Sequence, residues 1–301
     1  MKISIVGLGR VGSAIAFANV MNPIASELLL INRSRNRAEG DALDLAHASA
    51  LRNSNMQIRA GELSDASGSD VIVFTASAAY GDPKRKRSDL AGENYRLLQK
   101  WIPPLAAASP DAILILVTNP VDALTYASIK LSGFPPSRVI GTGTLLDSVR
   151  YRAMLSDELQ IHADDIRAYV LGEHGDTQFA ASSIAMTGGE RFYSSETTER
   201  IFRETVGMGY RVSELKGYTN YGIAMATQLI LDSIVYDLRH TMPLSVLIED
   251  FCGVQDVCLS LPAVVGRSGI TRLLKPVLTD GEQAAFVRSA AAVRRTIDQM
   301  G

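Results

Sequence analysis

Apolar residues in the first half of the chain fall into short unbroken runs separated by helical stretches: KISIVG at 2–7, ELLLIN at 27–32, MQIRA at 56–60, DVIVFTAS at 70–77, AILILVTN at 112–119 and RVIGTG at 138–143. Continuous runs such as Val71 to Phe74 and Ile113 to Val117 suit strands covered on both faces, as in a parallel sheet flanked by helices. Six such strands with helical crossovers predict an α/β fold with a doubly wound parallel sheet ordered 3-2-1-4-5-6. Ligands of such sheets lie beyond the carboxyl ends of the strands, where Asn32, Thr75, Asn119 and Thr142 stand. After about residue 143 the pattern changes. Tyr151 to Leu159 reads as a helix and IRAYVLGEHG as a strand running into a loop, followed by short strands and long helical stretches near 196–237 and 280–299.

Where the first strand meets the first helix, Gly7, Gly9 and Gly12 form G-x-G-x-x-G, with Arg10 and Val11 inside it. The three glycines serve a tight turn, close approach of the backbone to a pyrophosphate, and close helix–strand packing, with the phosphates on the positive end of the helix. From Gly12 to Asn32 is 20 residues, the interval at which a dinucleotide fold places the group that meets the adenosine ribose. An acid there accepts from the ribose hydroxyls of NAD and repels the extra phosphate of NADP. Asn32 removes that repulsion, while Arg33, Arg35 and Arg37 offer guanidinium groups and Ser34 a hydroxyl to a phosphate. NADP(H) is therefore the expected cofactor. NAD(H) is the alternative, in which Asn32 bonds a ribose hydroxyl and the arginines are a solvated helix start. The division expected is a Rossmann dinucleotide-binding domain over 1–143 and an α+β substrate and catalytic domain over 144–301.

Composition narrows the class. A chain of 301 residues, 47% of them hydrophobic, buries a large core, and its net charge of -2 carries no nucleic-acid footprint. Cys252 and Cys258 are too few for a disulfide framework. No apolar stretch approaches the length of a membrane span, and a strand beginning at Lys2 leaves no room for a signal peptide, so a soluble cytoplasmic protein without membrane partners is expected. No H-E-x-x-H or Cys/His cluster supports a metal, and His47, His162 and His240 are read as structural.

The segments GLGRVG, GDALDLAHA, RSDLAGEN, VTNPVD, LLDSVRYR, GEHGDT and LKGYTNYGIA occur in that order along the chain. As an ordered set they resemble the lactate/malate dehydrogenase family over essentially the whole sequence, the LDSVR and GEHGD pair being the most specific part. The resemblance implies hydride transfer between a nicotinamide and a 2-oxo acid or (S)-2-hydroxy acid. It makes His174 the proton donor, Asp147 its partner, Arg150 the clamp on the substrate carboxylate and Arg87 a group on a closing loop that polarises the carbonyl. Asn119 would bond the substrate oxygen or the nicotinamide end, and Thr219 and Ile223 would line the pocket. Thr75, Ala76 and Asn94 join the cofactor contacts on the same ground. A homodimer or homotetramer is implied as well.

One segment departs from that pattern. In the relatives the residue six before the loop arginine selects substrate, but here the place is Gly81 in a loop that looks one residue longer, so Tyr80, Gly81 or Asp82 could face the substrate. Thr219 resembles a lactate-type pocket, whereas Lys84, Arg85 and Lys86 could attract a second anionic group or form a solvated face. A reductase of another substrate on the same fold, such as an imine or a phosphonate-bearing oxo acid, stays open. So does a nucleotide sensor without activity, although that would have no need of His174, Asp147, Arg150 and Arg87 together.

Overall fold

The computed structural model describes residues 1–52, 54–78, 87–192 and 195–300, with the side chains of 87–89 outside that description. The specificity-loop positions Tyr80, Gly81, Asp82, Lys84, Arg85 and Lys86, and the side chain of Arg87, thus lie outside the described residues.

The first half alternates strand and helix. Strands β1 (Lys2–Val6), β2 (Glu27–Ile31), β3 (Gln57–Gly61), β4 (Val71–Phe74), β5 (Ile113–Leu116) and β6 (Val139–Gly141) are connected through helices α1 (Arg10–Met21), α2 (Arg35–Ala50), α3 (Arg87–Ala108) and α4 (Val121–Ser132). The side chains of β4 and β5 are buried along their whole length, as their unbroken apolar runs require between two helical layers. All adjacent pairs among these strands are parallel, in the spatial order β3-β2-β1-β4-β5-β6.

The sheet does not stop there. Helix α5 (Leu145–Leu159), the short strands β7 (Val170–Leu171), β8 (Phe179–Ala180), β9 (Met186–Thr187) and β10 (Glu190–Arg191), and helices α6 (Glu196–Lys216) and α7 (Tyr221–Val235) follow in the chain. Three further strands, β11 (His240–Ile248), β12 (Val257–Gly266) and β13 (Gly269–Leu273), then join the parallel sheet edge to edge before the final helix α8 (Asp280–Met300). Strand β11 runs antiparallel to β6 through the Ser245–Gly141 pair, giving nine strands in one sheet. A side chain at Gly141 would lie 2.3 Å from Thr125 Oγ1 and 2.7 Å from Ser245 Cβ, so only glycine lets the two halves close at this seam. The expected short strands are present as β8–β10, but a nine-residue and a ten-residue strand follow them, and the expected long helical stretch over 196–237 is broken by the loop 217–220.

Candidate functional site

The glycine turn is shaped by contact on one side and left open on the other. Gly7 has φ +101, and a Cβ on it would meet Ala76 N at 2.5 Å, while a Cβ on Gly12 would sit 1.9 Å from Gly7 O. Thr75 donates its hydroxyl to Gly7 O, tying the end of β4 to the turn. Gly9, which precedes the first residue of α1, is exposed and has nothing within 4 Å of an added Cβ. Helix α1 carries no acid of its own in its first turn, so its positive end stays available to an anion; Ser13, at the end of that turn, donates to Asp41 of α2 at 3.4 Å. With open space over Gly9 and a helix N-terminus beyond it, the turn suits a pyrophosphate.

Asn32 directly follows β2, and its Oδ1 accepts the Leu8 N–H at 3.5 Å. Because that partner is a donor, the carboxamide oxygen must face the glycine turn and the NH2 group turns away from it. Ser34 caps α2 by accepting the Arg37 N–H at 3.4 Å. Arg33 and Arg37 are exposed, but Arg35 is already engaged, at 2.9 Å to Glu39 and 2.8 Å to Glu62. Of the three guanidinium groups expected to await a phosphate, one is thus spent on carboxylates.

Asn94, expected among the cofactor contacts, is fully buried. Its Nδ2 donates to Asn119 O and its Oδ1 accepts the Ala78 N–H, both at 2.7 Å. It therefore braces the loops after β4 and β5 from behind. Asn119 is exposed, and its own Oδ1 accepts the Val121 N–H at 3.3 Å. No hydrogen bond links the side chains of Asn119 or Thr219 to the histidine centre among the described residues.

That centre is assembled from α5 and the loop after β7. Asp147 occupies the first turn of α5, where the helix is fastened to β7 by Ser148 Oγ, which accepts the Val170 N–H at 2.8 Å. The loop is held to β12 by Gly172 and Ser260, which exchange backbone hydrogen bonds of 3.1 and 2.9 Å. These anchors bring His174 Nδ1 to 2.7 Å from Asp147 Oδ2. Arg150, one turn along the helix, approaches Asp147 Oδ1 at 3.3 Å. Burial opposes protonation of His174, but the charge and hydrogen bond of Asp147, with a further contribution from Asp122, outweigh it and raise its pKa above the ordinary value. For Asp147, burial works upward and is overcome by His174 and Arg150, leaving its carboxyl below the usual range. With Nδ1 on the carboxylate, Nε2 is left to give or take a proton.

Thr219 lies in the loop between α6 and α7, which opens with Gly217 at φ +82. Arg10, inside the glycine motif, stacks on Tyr218 with its guanidinium 4.1 Å from the ring centroid. It also donates to Gly217 O at 3.4 Å. Lys216 sits 4.6 Å from the same ring centroid and 3.7 Å from that of Tyr221. The phosphate turn and the candidate substrate loop therefore touch through Arg10. Ile223 is half-buried in the first turn of α7.

Sequence reasoning assigned no role to Asp122, which follows Asn119 in VTNPVD and accepts the His174 backbone N–H at 2.7 Å. Its signal was an acid in a helix-opening turn at a strand end, which reads equally well as a first-turn acid. Among the described residues there is no group of three or more His, Cys, Asp or Glu side chains placed to hold a metal, and no helix long and apolar enough to cross a membrane.

A glycine turn suited to a dinucleotide, together with a half-buried histidine–aspartate pair followed by an arginine on the same helix, fits the class of NAD(P)-dependent dehydrogenases acting on 2-hydroxy acids. Residues 1–141 match the family described as lactate/malate dehydrogenase, NAD binding domain, and residues 144–301 match lactate/malate dehydrogenase, alpha/beta C-terminal domain. The chain belongs to the lactate/malate dehydrogenase family and is an NAD(P)-dependent 2-hydroxy acid dehydrogenase. It is 35% identical to L-lactate dehydrogenase 1 of Clostridium acetobutylicum, over 99% of this chain and 98% of that protein. It is 39% identical to L-lactate dehydrogenase of a Thermoanaerobacter species, over 99% of each. A solved structure of the minor L-lactate dehydrogenase from Enterococcus mundtii superposes with a TM-score of 0.95 at 30% identity, over 100% of this chain and 98% of that one.

Proposed function

We propose that this dehydrogenase is an NADP(H)-preferring reductase of a small 2-oxo acid, yielding the (S)-2-hydroxy acid. The single observation that carries the reaction is the half-buried Asp147–His174 contact of 2.7 Å with Arg150 on the next turn of the same helix. The Gly7–Gly12 turn would hold the dinucleotide by its pyrophosphate, and the nicotinamide at its other end would supply or accept the hydride. The chain's own residues do the rest. His174 gives its Nε2 proton to the substrate oxygen during reduction and takes it back during oxidation. Asp147 fixes the tautomer and stabilises the charged ring. Arg150 offers two parallel N–H groups to the substrate carboxylate. Arg87 keeps the carbonyl-polarising role that family resemblance implies, and Asn119, Thr219 and Ile223 remain the proposed contacts around substrate and nicotinamide. Thr75 and Ala76 shape the cofactor's cradle. The two domains proposed meet at residues 143 and 144.

Two features support NADP(H): the outward amide donors of Asn32, and the exposed charges of Arg33 and Arg37 beside Ser34, which make no ion pair among the described residues. The engagement of Arg35 by Glu39 and Glu62 favours the second reading, an NAD-linked enzyme with the arginines as a solvated helix start. Fluorescence titration with NADPH and NADH at matched salt separates the two. Tighter NADPH binding by tenfold or more, about 1.4 kcal/mol, sustains the first reading, and equal or tighter NADH binding replaces it with the second. Turnover of a panel of 2-oxo acids then names the substrate, and no turnover on any member would point to an imine or other acceptor.

The partner proposed is a second copy of the chain. Phe17 and Met21 of α1, Leu43 of α2 and Tyr221 and Met225 of α7 are large apolar side chains left exposed on neighbouring helices. Such a face suits a homodimer, and a monomer by sedimentation at micromolar concentration would rule it out. A cytoplasmic location accords with this reading.

A further inference from the structure

Asp122 is a buried acid that the reaction outlined above does not use. It stands in the first turn of α4 with 3% of its surface exposed, and its Oδ2 accepts the His174 backbone N–H at 2.7 Å. The histidine is thus gripped twice, by Asp147 at the ring and by Asp122 at the main chain. A neutral amide or hydroxyl would accept one N–H as well, without the cost of burying a charge. Beyond that N–H, the polar neighbour that acts on the carboxylate is the buried Ser245 hydroxyl, whose hydrogen bond favours the ionised form. A carboxylate kept in so dry a place, where an uncharged acceptor would serve the same two donors, points to a use for its charge.

We propose that Asp122 is a positioning residue acting through His174: it fixes the backbone that carries the imidazole and, with Asp147, supplies the negative charge that retains the ring proton until the substrate oxygen takes it. This rests on the reading of His174 as proton donor. Three charged side chains bear on His174 among the described residues: Asp147 and Asp122, which favour its protonation, and Arg150, which opposes it. Those bearing on Asp122 are His174, which favours its ionisation, and Glu173, which opposes it. The Cys258 thiol, buried nearby, is pushed well above its ordinary pKa and stays neutral. Burial lifts the Asp122 carboxyl to about 6, partly offset by Ser245 and by the His174 N–H and charge. Asp122 is therefore mostly ionised at neutrality, and its proton and that of His174 are linked.

Asp122→Asn keeps an oxygen for the His174 N–H and removes only the charge. For the wild type, kcat/KM for 2-oxo acid reduction falls as pH rises and His174 loses its proton. In the variant that fall is displaced downward by roughly one pH unit. Asp122→Ala, which also removes the acceptor, lowers kcat as well. A wild-type midpoint in Asp122→Asn overturns the proposal. If the variants do not fold, the unaltered site is read by NMR in a chain whose exposed His47, His162 and His240 are replaced. The His174 ring then titrates with a midpoint above that of an ordinary imidazole, and a midpoint at or below the ordinary value overturns the proposal equally. His174→Asn with turnover intact would remove the underlying reading of the site. Lost turnover in His174→Asn together with an unmoved midpoint in Asp122→Asn would remove only the role of Asp122.

Discussion

The cofactor cradle and the histidine centre are built by opposite means. Around Gly9, Arg33 and Arg37 the binding groups are exposed backbone and surface charge. Around His174 the groups are half or wholly buried and each is bonded to another: Asp147 to the ring, Arg150 to Asp147, Asp122 to the main chain. Exposed charge in water is worth little and is screened by salt. Buried and paired charge is strong, and removing one partner leaves the other stranded. The cradle should therefore tolerate substitution with graded changes in affinity, whereas the histidine centre should fail abruptly.

His174→Asn is the most severe test of that contrast. It should cut the chemical step by roughly 10²- to 10⁴-fold and leave cofactor affinity nearly unchanged; a parallel loss of cofactor binding would show that the two regions are one. Arg150→Lys comes next. Its ammonium cannot make the planar two-point contact, so KM for the oxo acid should rise with a loss of about 1.5–3 kcal/mol, the scale of a hydrogen bond to a charged group. Unchanged steady-state constants would count against the clamp. On the cradle side, Asn32→Asp restores the repulsion an acid exerts on a 2′-phosphate and should shift preference toward NADH by about tenfold, near 1.4 kcal/mol. Raising salt from low to physiological should erode NADPH affinity while leaving the pH midpoint of His174 in place. The smallest effect belongs to Arg10→Ala. Loss of an exposed cation–π contact is worth about 0.5–1 kcal/mol, so a KM increase of a few-fold without change in kcat is expected.

The same contrast explains what the sequence disclosed. Features governed by local chemistry were legible: the glycine turn, the buried strands and the strand-end polar residues all announce themselves within a few positions. Long-range pairing was not. Strands β11 and β12 each carry a proline, Pro243 opposite Pro262, and a proline inside an apolar run argues against a central strand. The break at Gly217 was hidden because KGYTN interrupts two helical patterns that otherwise read as one. Arg35 looked free because Glu62, its partner across 27 residues, is brought to it only by the path of β3. Asp122 went unassigned for the reason opposite to that for His174: its significance lies in a contact with a backbone group 52 residues away, which no spacing reveals.

The seam between β6 and β11 bears on the protein's folding and engineering. Because the two family segments share one sheet, neither has a finished boundary of its own, and a fragment ending near residue 143 would present the bare edge of β6 to solvent. Heating should accordingly melt the chain in one cooperative step, and recombining halves from different relatives would require matching the Gly141–Ser245 fit as closely as any contact within a core.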